Sequence, residues 1–394
     1  MFDLEIKEKE DCTGCFACSN ICPENCIIME NDTEGFWYPT IDYGKCIKCK
    51  KCIKVCPVIN KSIVNNKPVA FACYNKNNKI RYESSSGGVF SVIAEKVIHN
   101  GGIVFGAGFD ENFSVKHSHA QKIEEIKHFR GSKYVQSCIG ETYKQAKYFL
   151  KQGKQVLFAG TPCQISGLKS FLGLEYDNLL CIDIVCHGVP SPKVWKEYVK
   201  FREKKAKSRV KKISLRSKNK GWKQFSVLFI FENNTEYCET MDKDLFMKAF
   251  LKNICLRPSC YNCKFKTLHR QSDITLADFW GIQNILPEMD DDKGTSLIFI
   301  NSMKGQAVFE EIKDSLVYKE VDIEQAVRYN SLAVKSAEYN IKRYAFFKEL
   351  DKLPFDLLIK KYCKDPLAVI IKKLIKRTAY TVLKRIGLLN ISKK

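Results

Sequence analysis

Eight of the nineteen cysteines fall in two runs of one spacing, Cys12, Cys15, Cys18, Cys22 and then Cys46, Cys49, Cys52, Cys56, each followed by proline. Written out, the pattern is C-x2-C-x2-C-x3-C-P, twice. Three thiolates on a tight loop can reach three corners of an iron–sulfur cube, while the fourth, entering the next element, points to the other cube. The spacing therefore predicts two [4Fe-4S] clusters with crossed ligation. Cys12, Cys15, Cys18 and Cys56 would hold one, and Cys46, Cys49, Cys52 and Cys22 the other. Structural zinc usually takes two separated C-x2-C pairs, and an odd cysteine count in a reducing compartment argues against a disulfide framework. Cys26 lies outside the pattern and reads as a small buried hydrophobe beside a cluster.

A second group is dispersed: Cys163, Cys186, Cys255, Cys260 and Cys263. The C-x2-C of Cys260 and Cys263 needs two further thiols. Cys163 and Cys186 offer themselves from loops that follow apolar runs, and Cys255 is a rival because C-x4-C-x2-C echoes the plant-type ferredoxin spacing. A third cluster and a zinc site both fit this spacing. Cys163 with His187 also suggests a nucleophile and its base, but thiols beside clusters more often serve as ligands. The C-x3-C-x2-C arrangement of radical-forming enzymes is absent.

The elements that must position these residues alternate between strand and helix. Residues 1–61 form a small module with a hairpin-like link through Gly35–Tyr38, too short to bury much core without its clusters. A polar linker, Asn60–Pro68, follows. Next come a strand over Val69–Tyr74, the small-residue stretch Glu83–Gly88 and a helix over Val89–His99, an arrangement that fits equally an anion such as phosphate at the backbone N–H groups and an ordinary serine cap with glycine for tight packing. Strands are expected over Ile103–Phe109 and Ser114–His119. Val156–Ala159 leads into a loop, Gly160–Gln164, and a helix over Ile165–Leu172, and Leu179–Val185 leads into Cys186–Pro190 and a helix capped by Ser191 with Pro192 in its first turn. Both loops put a cysteine just past the carboxyl end of a strand, where open α/β sheets bind ligands. Residues 209–241 alternate like antiparallel strands, and helices are expected beyond Glu324.

The chain is long enough for two or three domains, and its 45% hydrophobic content excludes a disordered or fibrous protein. A charged N-terminus and the lack of any run of eighteen apolar residues point to a cytoplasmic protein. The net charge of +21 suits an acidic electron carrier, an anionic substrate, nucleic acid or a lipid headgroup as partner. Nucleic acid is disfavoured because no reader motif accompanies the charge. From Pro366 to Lys394 eight Lys or Arg occur without an acidic residue. A basic amphipathic helix there could lie at the inner membrane surface as a peripheral contact, against the plainer reading of a terminal helix packed on the body.

Five ordered motifs, Ser84–Gly88, Gly160-Thr-Pro-Cys-Gln164, Cys186-His-Gly188, Arg257-Pro-Ser-Cys-Tyr-Asn-Cys263 and Asp273–Gly281, resemble the coenzyme F420 hydrogenase/dehydrogenase beta subunit family. Plant 7-hydroxymethyl chlorophyll a reductase is similar to the same family. With the dicluster ferredoxin module (1–61), the resemblance implies an α+β or α/β fold class with a mixed-sheet flavoprotein body of an N-terminal-like part (66–150) and a C-terminal-like part (151–325); the helical region with the basic tail (326–394) lies outside it. It further implies an iron–sulfur flavoprotein oxidoreductase in which FAD mediates between one-electron clusters and an organic substrate or deazaflavin. Family members of this layout need not use coenzyme F420. Carried over, Ser85, Ser86, Gly87, Gly88, Ser132, Lys133, Thr161 and Gln164 are flavin contacts, with Lys133 also the catalytic candidate for orienting flavin or substrate. Cys163, Cys186, Cys260 and Cys263 become ligands of a third [4Fe-4S] cluster, and Cys255 drops out. The alternative is an electron-transfer subunit that serves a redox partner protein and has no substrate of its own.

Overall fold

Residues 8–364 are described here in a computed structural model of the chain. The first module is a hairpin of β1 (Ile27–Asn31) and β2 (Trp37–Ile41) beside two short helices, Ala17–Ile21 and Lys51–Lys54. Asp32 closes the hairpin by accepting from the N–H groups of Glu34 and Phe36. The sequence repeat is also a backbone repeat. Gly14 and Phe16 in the first loop, and Lys48 and Lys50 in the second, all take left-handed φ values between 56° and 66°.

The body is built on one eight-stranded sheet. Its strands are β3 (Val69–Asn75), β4 (Ile103–Phe109), β5 (Val115–Ala120), β6 (Val156–Gly160), β7 (Leu179–Ile184), β11 (Ile274–Asp278), β12 (Ser296–Ile300) and β13 (Leu316–Val321), in the order β13-β3-β12-β11-β7-β6-β4-β5. Three strands omitted from that order, β8 (Val210–Ser217), β9 (Ser226–Phe231) and β10 (Glu236–Thr240), form a separate antiparallel sheet. β4, β6, β7 and β11 run parallel, and the outer strands pair antiparallel. Strands buried on both faces read as continuous apolar runs, which is why Val156–Phe158 and Leu179–Ile182 carry no polar residue. Helices Val89–His99 and Met303–Ile312 cover one face, and Thr142–Lys151 and Pro162–Leu172 the other. The small sheet packs with Pro192–Ala206, Leu245–Leu251 and Phe355–Tyr362 around Trp195, Tyr198 and Phe246. The fold is thus α+β/α/β, with strands from 66–150 and 151–325 sharing one sheet.

Three details differ from the sequence expectations. Gly160–Gln164 is not all loop: Thr161 and Gln164 form a capping box, so the helix starts at Pro162. An unforeseen short helix, Asn78–Glu83, is capped by the Asn77 side chain. Beyond Glu324 the chain breaks into Ile323–Arg328, Arg343–Glu349 and Phe355–Tyr362, with Pro354 ending any continuity. The basic tail, 366–394, lies outside the described residues. Among the described residues no helix is long and apolar enough to cross a membrane.

Candidate iron–sulfur centres and cofactor rim

The two cysteine loops differ in their surroundings. Cys12, Cys15 and Cys56 are buried and Cys18 half-buried. Burial, followed by the nearby Cys56 and Cys12 thiols, pushes Cys15 up to about 12, and Cys18 rises through burial and the same neighbours. Thiols this close and this dry ionise only if a cation compensates them. Cys22, Cys46, Cys49 and Cys52 instead line one pocket that also takes in Cys26, and Cys49 there is exposed. The Cys26 Sγ lies 3.3 Å from that of Cys22.

The first loop is wedged into the body. Arg257, fully buried, donates from Nε to the Cys12 carbonyl (2.7 Å) and from Nη1 to Gln136 Oε1 (3.3 Å). Asn20 donates to the Gly140 carbonyl at 2.8 Å, and a Cβ on Gly167 would meet Cys15 Sγ at 3.1 Å, so the helix Pro162–Leu172 lies directly against the loop. The hairpin adds a fork from Arg343 to the Glu34 carboxylate and a bond from the Ser191 hydroxyl to the Glu34 carbonyl.

The third thiol set is assembled from distant segments. Cys163 comes from the first turn of Pro162–Leu172, Cys186 follows β7, Cys260 ends a short turn of helix at Pro258–Cys260, and Cys263 lies just past it. Together they line one pocket with Thr13, Thr161, His187, Lys266 and Arg270. Burial raises Cys163, and the neighbouring Cys263, Cys186 and Cys260 raise it further. Burial raises Cys186, while Lys266 and Arg270 pull it back. Lys266 donates to the carbonyls of Cys186 and Leu332, and the Val189 N–H lies 3.4 Å from Cys260 Sγ. Cys255 lines none of this; it is buried in the apolar core near Cys363. His187 is held by Asn253 Oδ1 at 2.5 Å, and burial lowers its pKa.

Among the described residues no three His, Cys, Asp or Glu side chains converge as a single ion requires. The thiols stand around spaces instead, and those donors suit an iron–sulfur cube. Thr13 Oγ1 and Arg257 Nη2 are buried without a partner among the described residues. Thr13 lines the third space, and Arg257 lies beside the first loop through its bond to the Cys12 carbonyl.

The residues carried over as flavin contacts gather at the carboxyl-end rim of β6, β7 and β11. The hydroxyls of Ser85 and Ser132 lie 2.9 Å apart. Ser86 Oγ donates to the Thr295 carbonyl, and the Gly87 N–H to Ser296 Oγ, both at 2.9 Å. A Cβ on Gly87 would meet the Cys73 carbonyl at 2.4 Å, so only glycine fits. Gly88, left-handed at φ 82°, starts the helix Val89–His99 without a side-chain cap, leaving backbone donors for an anion. Lys133 Nζ bends back onto the carbonyls of His128 and Arg130, and burial lowers its pKa to about 7. Thr161 and Gln164 spend their side chains on the capping box, and Gln164 also donates to Ser137.

The sequence reading missed Thr13, Arg257, Lys266 and Arg270, as well as the cations round the serine–glycine loop. Arg216 forks onto Asp278 and donates to the Ser85 carbonyl. Lys218 is held by the carbonyls of Arg81, Ser86 and Lys293, and burial brings it down to about 7. Arg257 and Asp278 sit inside the quoted motifs, and that position was the available signal.

Residues 153–326 match the family described as the C terminus of the beta subunit of coenzyme F420 hydrogenase/dehydrogenase, and residues 11–60 match a 4Fe-4S dicluster domain. Over 211 residues the chain is 22% identical to the F subunit of F(420)H(2) dehydrogenase from Methanosarcina mazei, covering 50% of this chain and 60% of that relative. An uncharacterised ferredoxin of Methanocaldococcus jannaschii is 36% identical over 52 residues, 13% of this chain and 66% of that protein. One solved structure, the F420-reducing [NiFe] hydrogenase complex of Methanosarcina barkeri, contains a chain with 17% identity and a TM-score of 0.46, covering 68% of this chain and 88% of that one.

Proposed function

We propose that this chain, in which a 4Fe-4S dicluster domain precedes a C-terminal domain of the coenzyme F420 hydrogenase/dehydrogenase beta subunit family, is an iron–sulfur oxidoreductase linking a one-electron protein partner to a two-electron organic substrate. Its parts are the module 1–61, the body halves 66–150 and 151–325, and the helical region 326–394. Cys12, Cys15, Cys18 and Cys56 hold one cluster, Cys22, Cys46, Cys49 and Cys52 a second, and Cys163, Cys186, Cys260 and Cys263 a third. What these groups supply is one-electron exchange. The observation carrying the reading is Thr13: a residue of the first ferredoxin loop is part of the wall of the third thiol space.

FAD is the proposed resident of the rim. What it supplies is conversion between single electrons and a pair. The uncapped start of Val89–His99 and the Ser85–Ser132 pair would hold its phosphates, with Arg216 and Lys218 fixing the loop from behind. Lys133, near neutrality by its lowered pKa, would hold or release a proton at Nζ. Thr161 and Gln164 would shape the rim through backbone and capping contacts. Coenzyme F420, named in the M. mazei relative, is the substrate to try first. A relay subunit without its own substrate is the second reading, favoured by the exposed Cys49 loop.

Flavin released by denaturing the anaerobically purified, FAD- and iron-sulfide-reconstituted full chain tests the proposal. About one FAD per chain is expected. Absence of flavin with all clusters filled would leave the relay subunit.

A further inference from the structure

We infer that the second cysteine loop is the docking surface for an acidic one-electron carrier protein. The inference rests on the iron–sulfur reading above and names the partner of that site. From residue 45 to residue 61 the chain has six lysines, Lys45, Lys48, Lys50, Lys51, Lys54 and Lys61, and no acidic residue. All six are exposed. Lys48, Lys50 and Lys51 line the Cys22–Cys46–Cys49–Cys52 space, with Lys45, Lys54 and Lys61 on the same stretch of chain, and the edge of that space is marked by exposed Cys49 and by Ile47, at 61% exposure. An apolar centre inside a charged rim is the anatomy of a protein interface.

The first loop shows that these lysines are not demanded by cluster building. At the places equivalent to Lys48 and Lys50 it has Gly14 and Phe16, with the same left-handed backbone. Lysine has no conformational advantage there over glycine. What the lysines add is positive charge directly beside the thiols nearest solvent. A positive patch meeting a negative one speeds encounter and makes it salt-dependent. Each productive encounter removes one electron from the reduced carrier and adds one to this protein, with no bond or proton exchanged.

The charges facing this loop from neighbouring elements leave the patch positive. Asp42 lies 3.3 Å from Lys45, and Glu24 lines the same space. These two carboxylates stand against six lysines; Lys144 from the body approaches Asn25 at 3.1 Å but is itself paired with Glu141 at 3.0 Å and adds no net charge. The surplus cations match a carrier whose own cluster is ringed by carboxylates.

The test uses the reconstituted full chain, an acidic plant-type [2Fe-2S] ferredoxin as carrier, and the methyl viologen radical cation as small donor. Stopped-flow reduction by the ferredoxin should slow about tenfold or more between low and high salt. Lys45→Glu/Lys51→Glu/Lys54→Glu should abolish that salt dependence and weaken binding of oxidised ferredoxin in calorimetry by a similar factor. Iron content and the viologen rate should not fall. A salt-independent wild-type rate, or unchanged ferredoxin binding in the variant, overturns the inference without touching the iron–sulfur reading. So does a variant that loses only its affinity for anionic phospholipid vesicles. Should the triple variant lose iron, the wild-type salt series and Lys51→Gln/Lys54→Gln decide alone. Failure of viologen to reduce the wild-type chain would instead sink the iron–sulfur reading.

Discussion

The loops 12–18 and 46–52 have one cysteine spacing and left-handed residues at the same two places, yet one is walled in and the other faces water. The spacing and backbone are common to both because both must present three thiols to one body. The residues between the cysteines are free to differ, and they decide what each loop touches. Gly14 admits the Arg257 guanidinium, whose Nη1 would lie 3.0 Å from an added Cβ, whereas Lys48 reaches into solvent. A left-handed non-glycine residue costs roughly 1–2 kcal/mol, which Phe16, Lys48 and Lys50 bear in a loop held by several other constraints.

The largest effect expected concerns the crossed fourth ligands. Cys56→Ala, though in the second run, should remove about four iron atoms from the inner loop's set and loosen the module from the body. Cys22→Ala should remove as many from the outer set and leave the module docked. Iron assay with limited proteolysis in the 60–68 linker distinguishes them, and identical proteolysis would erase the contrast between the loops.

Exchanging the loops' signatures should be asymmetric. Gly14→Lys puts a side chain at φ 64° and within 2.5 Å of Gln136 Nε2, so a loss of about 3 kcal/mol is expected. Lys48→Gly relieves a left-handed lysine in open solvent and should be neutral or stabilising by about 0.5 kcal/mol. Denaturant unfolding of the reconstituted proteins measures both, and equal costs would mean the burial difference has no energetic weight.

Arg257→Met removes the donor to the Cys12 carbonyl and should cost about 2 kcal/mol. It also removes a buried cation, which disfavours added electrons, so the potential of the inner set should fall while that of the outer set holds. Potentiometric titration followed by EPR reads both.

The last test is a control remote from either loop. Lys133 titrates near 7 in the fold and near 10.4 unfolded, so the unfolded chain binds more protons between those values and stability climbs as pH rises through that window. Below about 7 both states are charged and the penalty is complete and constant. Lys133→Met should flatten the climb, worth about 1 kcal/mol for a partly solvated group. Thermal midpoints from pH 6.5 to 9.5 check it, and an unflattened curve would assign the climb elsewhere.

Much of this was readable from contiguous residues. The helix over Val89–His99, the strand over Ile103–Phe109 and the Ser191 cap lie where apolar periodicity and capping chemistry put them. The helix start at Pro162 was also written in Thr161 and Gln164, but a glycine and a proline so close together read more readily as loop. The gathering of Cys163 and Cys186 with Cys260 and Cys263 followed from family motifs, since spacing by itself left Cys255 in contention.

Alone, the sequence determined the two four-thiol runs, the strand-end cysteines and the excess of lysine, because spacing, periodicity and charge are properties of neighbouring residues. Tertiary structure decided which loop turns inward, that Thr13 is part of the third thiol space, that Cys255 belongs to the core and that Lys133 folds back on its own loop. The physical reason is range: Arg257 meets the Cys12 carbonyl across 245 residues of chain, and such a bond exists only once the sheet has brought its rim loops together.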